Sequence, residues 1–292
     1  MPWFSGFEAI VAQRAPLAPH TWLGLGGPAE FFAQPRSQDE LATLVRRCHE
    51  QQVPMRLLGG GSNVLIPDEG VTGLVVQLSA AAFGEIRCQG SGVRAGGGAK
   101  LGHVITESVA KGLAGLETLV GIPGTVGGAL HGNAGGRSDD IGQWTAAATI
   151  MTREGQIIQR RKQDLVFAYR DSSLDELVIL SAEFQLEQED PTELAKRMQK
   201  QWIVKKAEQP IVDQRTGCIF KSPRGMNAAT LIDQAGLGGA HVGSAAVSDR
   251  NANFIVADQG ATTHDVRRLI DQIRSRVQER LSVPLELQIE LW

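Results

Sequence analysis

The chain has 292 residues, a formal net charge of -3, 42% hydrophobic residues and 21% charged residues. That is the composition of an ordinary globular protein, with length for two or three domains rather than one. Lys and Arg are scattered, which offers none of the basic stripe of a nucleic-acid binder, and no apolar run is long enough to span a bilayer.

Three cysteines, Cys48, Cys88 and Cys218, show no CxxC spacing, and the six histidines stand singly. This argues against a disulfide scaffold or a zinc site and for a reducing compartment. The opening MPWFSGFEAIVAQRAP lacks a basic segment followed by an apolar stretch, so it does not read as a signal peptide. The expectation is a cytoplasmic protein with no nucleic-acid or membrane partner and no metal. The one basic cluster, Arg160-Arg161-Lys162, reads as a solvated turn.

In chain order, Ser37-Gln38-Asp39-Glu40 is a capping box. Leu41, Leu44, Val45 and Cys48 then recur at helical spacing, with Arg46, Arg47 and Glu50 outward. Short apolar runs at 55–58 and 73–78 predict strands on either side of a glycine loop. Leu101, Val104 and Ile105 predict a helix stopped near Gly112. From Gly112 to Gly136 the chain reads GLAGLETLVGIPGTVGGALHGNAGG, which predicts tight turns and closely approached backbone. Segments 145–152, 156–159 and 176–188 are strand-like. Asp190-Pro191-Thr192-Glu193 starts a helix, with a domain boundary at the polar EQEDP. Another helix is expected from Asn227 to Ala235, ending at Gly236. Val266, Leu269, Ile270, Ile273, Val277 and Leu281 form one apolar stripe, and the closing PLELQIELW alternates like a strand. The pattern is α+β, without steady βαβ alternation.

The loop LLGGGSNVL, residues 57–65, combines three glycines with Ser62 and Asn63. Successive bare N–H groups in such a turn suit an anion such as a diphosphate, but a tight strand connection explains the same residues equally well. No GxxxxGK[ST] occurs. Gly236-Leu237-Gly238-Gly239 lacks the third glycine of a dinucleotide fingerprint. Gly24-Leu25-Gly26-Gly27-Pro28-Ala29 lacks its strand–helix context.

Several blocks, in one order from Thr21 onward, carry a resemblance: TWLGLGGPAEFFAQP, LLGGGSNVLIPDEGVTGLVV, GLAGLETLVGIPGTVGGALHGNAGG, FAYRDSS, TGCIFKSP and AATLIDQAGLGGAHVGSAAVSDRNANFIV. Together with the last helix and strand, they resemble the UDP-N-acetylenolpyruvoylglucosamine reductases, the MurB family. The resemblance implies a two-part FAD-binding region of the vanillyl-alcohol-oxidase (PCMH) type and a C-terminal α+β substrate-binding domain. The implied division is 1–80 and 81–189 for the FAD-binding parts and 190–292 for the substrate domain, its last strand returning to the site. The implied activity is reduction of UDP-N-acetylglucosamine enolpyruvate by NADPH through FAD, in a monomer serving peptidoglycan precursor synthesis.

The same resemblance assigns the FAD to Leu58, Gly59, Gly60, Gly61, Ser62, Asn63 and Val64. To these it adds Gly121, Ile122, Pro123, Gly124, Thr125, Gly127 and Gly128, with Asn133, Ala134 and Gly135. It implies Tyr169, Lys205, Gln209, Lys221 and Ser222 as substrate contacts, with Lys206 as a neighbour. It also implies three reactive positions. Arg170 matches an arginine that steadies the enolate, and a fork of fixed N–H donors suits a carboxylate. Read alone, it is a surface arginine paired with Asp171. Cys218 stands where the family has a serine proton donor. A thiol is far more acidic than an alcohol yet mostly protonated at neutral pH. Read alone, it is a small buried apolar residue, as Cys48 is. Gln288 falls on the family's glutamate when Leu285 and Ile289 take the apolar positions. A glutamine donates a hydrogen bond but gives up no proton at physiological pH. A two-residue slip would bring Glu286 or Glu290 there instead, against the family spacing. A catalytically impaired homologue is therefore the alternative. Ser222 and Asn251 also depart from the family's asparagine and histidine. Tyr169 is the only tyrosine, which fits the short type without a tyrosine lid loop.

Overall fold

The computed structural model describes residues 3–136, 139–175, 178–210 and 215–292. Positions 176 and 177 of the expected 176–188 strand lie outside these. The chain forms two compact units. One comprises residues 1–15, 30–60 and 72–202, the other 16–29, 61–71 and 203–292. Expected boundaries at 80/81 and 189/190 cut the chain in sequence. The observed units are discontinuous, because Leu23, Leu25 and Leu65 belong to the same apolar core as the C-terminal residues Ile219, Phe220 and Val266.

The first unit holds a four-stranded sheet ordered Val11–Pro16, Pro28–Ala33, Val71–Val76, Met55–Leu57, the last pair parallel. The helix Gln38–Glu50 buries Leu41, Leu44, Val45 and Cys48. Ser37 accepts from Glu40 N as expected, but the Glu40 carboxylate reaches Arg36 N at 2.6 Å rather than Ser37 N. Arg47, expected outward, turns back to the carbonyls of Trp3 and Ser5 and lies 4.9 Å over the Phe7 ring, tying down the N-terminal segment.

A second, antiparallel sheet runs Ile157–Arg161, Thr145–Met151, Val178–Gln185, Gly92–Gly96, Ile86–Gln89. Arg160 and Arg161 end its first strand rather than forming a turn. Along Val178–Gln185, Val178 and Leu180 enter one core and Ile179 another. A bulge between Ile179 and Ser181 reverses the parity, so Ala182 and Phe184 join Ile179. The strand is thus buried on both faces, which explains its nearly unbroken apolar run. Within the glycine-rich stretch, Glu117 is 3% exposed, accepts from Gly115 N and pairs with Arg197 at 2.8 Å.

The second unit carries an antiparallel sheet ordered Thr216–Cys218, Phe254–Ala257, Ala245–Val247, His241–Val242. The helices Ala228–Gln234 and Thr263–Leu281 bury their apolar faces in the same core. Asp68, from the block LLGGGSNVLIPDEGVTGLVV at 57–76, accepts Thr263 N at 2.9 Å and His264 N at 3.1 Å, capping the last helix. The helix Pro191–Glu208 begins at Asp190, whose carboxyl the N–H groups of Glu193 and Thr192 hold below its usual range. The expected closing strand is regular only at Glu290–Leu291, parallel to Val64–Leu65. Leu287 bridges to Phe220 instead. Ile219 O accepts both Gln288 N and Ile289 N, so the ladder breaks there and the segment changes partners. Leu291, expected on the apolar face, is 42% exposed.

Candidate active site

The strand Met55–Leu57 is extended by Leu58, which is buried and donates its N–H to Val76 O. The chain then enters the glycine loop. A Cβ on Gly59 would lie 2.8 Å from Thr125 Oγ1, and one on Gly60 would lie 2.7 Å from Gly124 Cα. Gly60 therefore packs against the Gly124 backbone and Gly59 against the Thr125 hydroxyl, and side chains are excluded for lack of space. The partner loop is held in place by Leu101 N donating to Gly124 O, Val126 N to Ala99 O and Gly127 N to Gly97 O. Thr125 caps a short helix, Val126–His131, accepting from Gly128 N. That helix lies inside the stretch expected to be turns only. Gly121, Ile122 and Pro123 are half-buried ahead of it, Ile122 N donating to Leu119 O. Among the described residues, the N–H groups of Gly59, Gly60 and Gly61 donate to no other group of the chain.

Gly61, Ser62, Asn63 and Val64 belong to the second unit. Gly61 has φ 66°, and a side chain there would run into the His20 carbonyl. The Asn63 side chain does not stay in the loop. Its Nδ2 donates to Gln288 O at 3.0 Å, and its own carbonyl accepts Glu290 N.

Arg170 sits at the tip of a small hairpin. Phe167 pairs with Ser172 and Ala168 with Asp171, leaving Tyr169-Arg170 as a two-residue turn. Arg170 has φ 59°, a region costly for a side-chain-bearing residue. Its Nε is buried and has no hydrogen-bond partner, while the guanidinium lies 5.8 Å from the Tyr169 ring centre. Among the described residues it makes no ion pair with Asp171, so the surface-pair reading fails. Strain together with an unmet buried donor fits a group kept for an anionic guest.

Both arms of the hairpin hang on residues 131–133. Asn133 is 2% exposed, its Nδ2 donates to Ala168 O at 2.8 Å, and its Oδ1 accepts Gly142 N at 3.1 Å. Ser172 Oγ donates to His131 O at 2.9 Å. The Asn133 amide is thus spent inside the protein, and so are the N–H groups of Asn133 and Ala134, which donate to Leu130 O and Ala129 O.

In the second unit, Cys218 ends the strand Thr216–Cys218, half-buried, opposite Phe254. Asn253 Nδ2 donates to its Sγ at 3.4 Å. Gln288 N donates to Ile219 O at 2.8 Å and Lys221 N to Glu286 O at 2.9 Å. Gln288 therefore lies beside the residue following Cys218. Four hydrogen bonds, counting the two at Asn63, hold this register against a slip. Glu286 and Glu290 are exposed, while Gln288 is half-buried. Lys221 and Ser222 follow on the same run, half-buried, and Ser222 Oγ accepts Ala228 N at 3.2 Å. Lys205 and Gln209 are half-buried at the end of the Pro191–Glu208 helix, joined by Gln209 N to Lys205 O, and Lys206 is exposed. Asn251 accepts Asn253 N and donates to Glu208 O.

The first unit thus gathers 59–60, 121–128, 133–135, Tyr169 and Arg170. The second gathers Gly61–Val64, Cys218, Lys221, Ser222 and Gln288. Three side-chain amides escaped the sequence reading in these jobs: those of Asn63, Asn133 and Asn253. Each is an asparagine embedded among apolar residues and glycines, the one cue available.

Comparison with known proteins agrees across the chain. Residues 29–160 match the family model described as FAD binding domain, and residues 209–292 match that of UDP-N-acetylenolpyruvoylglucosamine reductase, C-terminal domain. The reductase of that name from Rhodopirellula baltica is 37% identical over 97% of this chain and 93% of its own length. The one from Bacillus subtilis is 34% identical over 96% and 93%. The crystal structure of the Thermus caldophilus reductase superposes with a TM-score of 0.82 at 34% identity, covering 97% of this chain and 98% of that one. The fold is the FAD-binding fold of the vanillyl-alcohol-oxidase type followed by a C-terminal α+β domain. The chain belongs to the UDP-N-acetylenolpyruvoylglucosamine reductase family.

Proposed function

We propose that this chain is an FAD-dependent reductase. It turns UDP-N-acetylglucosamine enolpyruvate into UDP-N-acetylmuramate with NADPH as electron donor, as a cytoplasmic monomer in peptidoglycan precursor synthesis. Family membership supports the reading, and one observation carries it. Gly59 and Gly60 leave no room for side chains against Gly124 and Thr125, and their N–H groups have no acceptor among the described residues. Such donors suit a diphosphate, so the residues present fit FAD. Among the described residues no helix is long and apolar enough to cross a membrane, in keeping with this reading. The division of labour follows the resemblance: 1–80 and 81–189 for the cofactor, with Tyr169 and Arg170 as substrate contacts, and 190–292 for the substrate.

When bound, FAD supplies the hydride, taken from NADPH and delivered to C3 of the enolpyruvyl group. The protein does the rest. Backbone N–H groups of 59–61 hold the diphosphate, with 121–128 and 133–135 alongside. Arg170 holds the substrate carboxylate and the negative charge that develops next to it, its unmet Nε supplying a donor already in place. Cys218 gives its proton to C2 and regains one from solvent. Gln288 donates a hydrogen bond toward the enolate. Tyr169, Lys205, Gln209, Lys221 and Ser222 contact the nucleotide sugar.

The test is anaerobic. The purified protein, reconstituted with FAD, should show a yellow flavin spectrum, bleach with NADPH and recover colour on addition of substrate. A protein that takes up no FAD, or a bleached flavin that ignores the substrate, refutes the proposal. A second reading, a flavin- and UDP-sugar-binding homologue with impaired turnover, is favoured by Gln288 alone. Gln288→Glu separates the two: a large gain in turnover supports impairment, and a loss says that glutamine belongs there.

A further inference from the structure

We propose that Asn253 is a positioning residue for the Cys218 thiol, aiming the sulfur and favouring the thiolate left when the proton has gone. This rests on the reading of Cys218 as proton donor given above. Asn253 is 9% exposed and uses every part of its amide. Oδ1 accepts Phe220 N at 3.0 Å, and Nδ2 donates to Phe220 O at 2.8 Å and to Cys218 Sγ at 3.4 Å. The orientation of the amide is fixed by chemistry, since Phe220 N–H can only donate and must face the oxygen. The second N–H of the nitrogen is then directed to the sulfur.

The backbone explains the arrangement. Cys218 is the last residue paired with the strand Phe254–Ala257, and Ile219 N still reaches Asn253 O at 3.0 Å. Beyond it, the Asn253 side chain stands in for a strand residue, pairing both the N–H and the C=O of Phe220. The chain can therefore turn at Ile219–Phe220 toward Leu287 and Gln288 without losing the sulfur's position. Asn251 in turn fixes Asn253, its Oδ1 accepting Asn253 N at 3.1 Å.

In the reaction, the S–H bond breaks, a C–H bond forms at C2, and the electron pair stays on sulfur. An N–H donated to sulfur favours that charged form. No carboxylate can do this work, because it would set an acceptor against Phe220 O and against the thiolate. The charged residues on this strand and its neighbours, Arg215, Lys221, Asp258 and Glu286, are common to wild type and variants, so they cancel in a comparison.

The experiment follows iodoacetamide labelling of Cys218 against pH in the protein as purified, quantified on the Cys218 peptide so that Cys48 and Cys88 do not contribute. Asn253→Asp should raise the labelling midpoint by about one pH unit or more, lowering the rate at pH 8 about tenfold, and Asn253→Ala should raise it less. The Asn253→Asp protein should lose kcat with KM nearly unchanged. A folded Asn253→Asp protein whose labelling midpoint does not move overturns the proposal. If neither variant folds, the wild type decides against its own half-buried thiol Cys88, which burial pushes up: a Cys218 midpoint below that of Cys88 supports the proposal, and one at or above it overturns it. Cys218→Ala tests the underlying reading separately. Full turnover in that variant sinks the proton-donor role and the catalytic half of the proposal, whatever the labelling shows.

Discussion

Arg170 and Cys218 make an instructive pair. In the first unit, Arg170 occupies a left-handed turn position with a buried Nε that nothing among the described residues satisfies. In the second, Cys218 ends an ordinary strand and its sulfur takes a hydrogen bond from a buried asparagine. One group is held in readiness at the expense of stability, whereas the other is tuned by its neighbours. The lesson is that an unmet donor in a strained turn points outward to a ligand, while a fully engaged side chain points inward to the protein's own architecture.

The largest expected effect tests the first half. Arg170→Ala should lower kcat roughly a thousand-fold, the loss typical of a key charge-stabilising donor, while the flavin spectrum stays intact. Arg170→Gly should be equally inactive yet more stable by roughly 1 kcal/mol, because glycine accepts the turn at no cost. A thermal melt that falls instead would break the comparison.

Gly60→Ala comes next. The added methyl meets the Gly124 backbone, so FAD affinity should fall at least tenfold by roughly the cost of local overpacking, measured by fluorescence titration of released flavin. Unchanged affinity would remove the cradle from the case.

A partnered charge supplies the contrast to Arg170. Arg197→Ala leaves Glu117 buried without its cation and should cost roughly 2 kcal/mol in urea unfolding, with kcat nearly unchanged. If Arg170→Ala proved the more destabilising of the two, the distinction between held-ready and engaged groups would collapse.

The smallest effect contrasts two thiols. Burial pushes the Cys48 thiol up to about 12. Because the folded value exceeds the unfolded one of about 8.5, Cys48 stabilises the fold below that pH, and its contribution is lost as pH rises toward 12. Unfolding midpoints between pH 9 and 11 should therefore drop more steeply in wild type than in Cys48→Ala. At pH 8, Cys48 should stay unlabelled by iodoacetamide while Cys218 reacts.

Much of this was legible in the residues because it is local. Ser37, Asp190 and Asn227 cap the helices they precede, and the 266–277 stripe faces the core. Long-range features were not. Nothing near Leu23, Leu25 or Leu65 says that they pack with residues two hundred positions away. The alternation of PLELQIELW hid a change of partner at Ile289, since a two-residue period describes a strand and not its neighbours. Glycines masked the Val126–His131 helix, whose stability comes from packing rather than propensity. Of the site, the glycine loop at 57–65 was readable by type as either an anion site or a tight connection, and a role for Arg170 came only with the family resemblance. The roles of Asn63, Asn133 and Asn253 were not, because apart from the Cys218 sulfur their partners are main-chain atoms that any residue could supply.

The meeting of Gly60 with Gly124 bears on genetics. Because the atom blocking a methyl at 60 is a main-chain carbon, no exchange at 124 can make room for it. Suppressors of a Gly60→Ala defect should therefore never arise at position 124, and selection for them should return only revertants or changes that shift the strands leading into either loop.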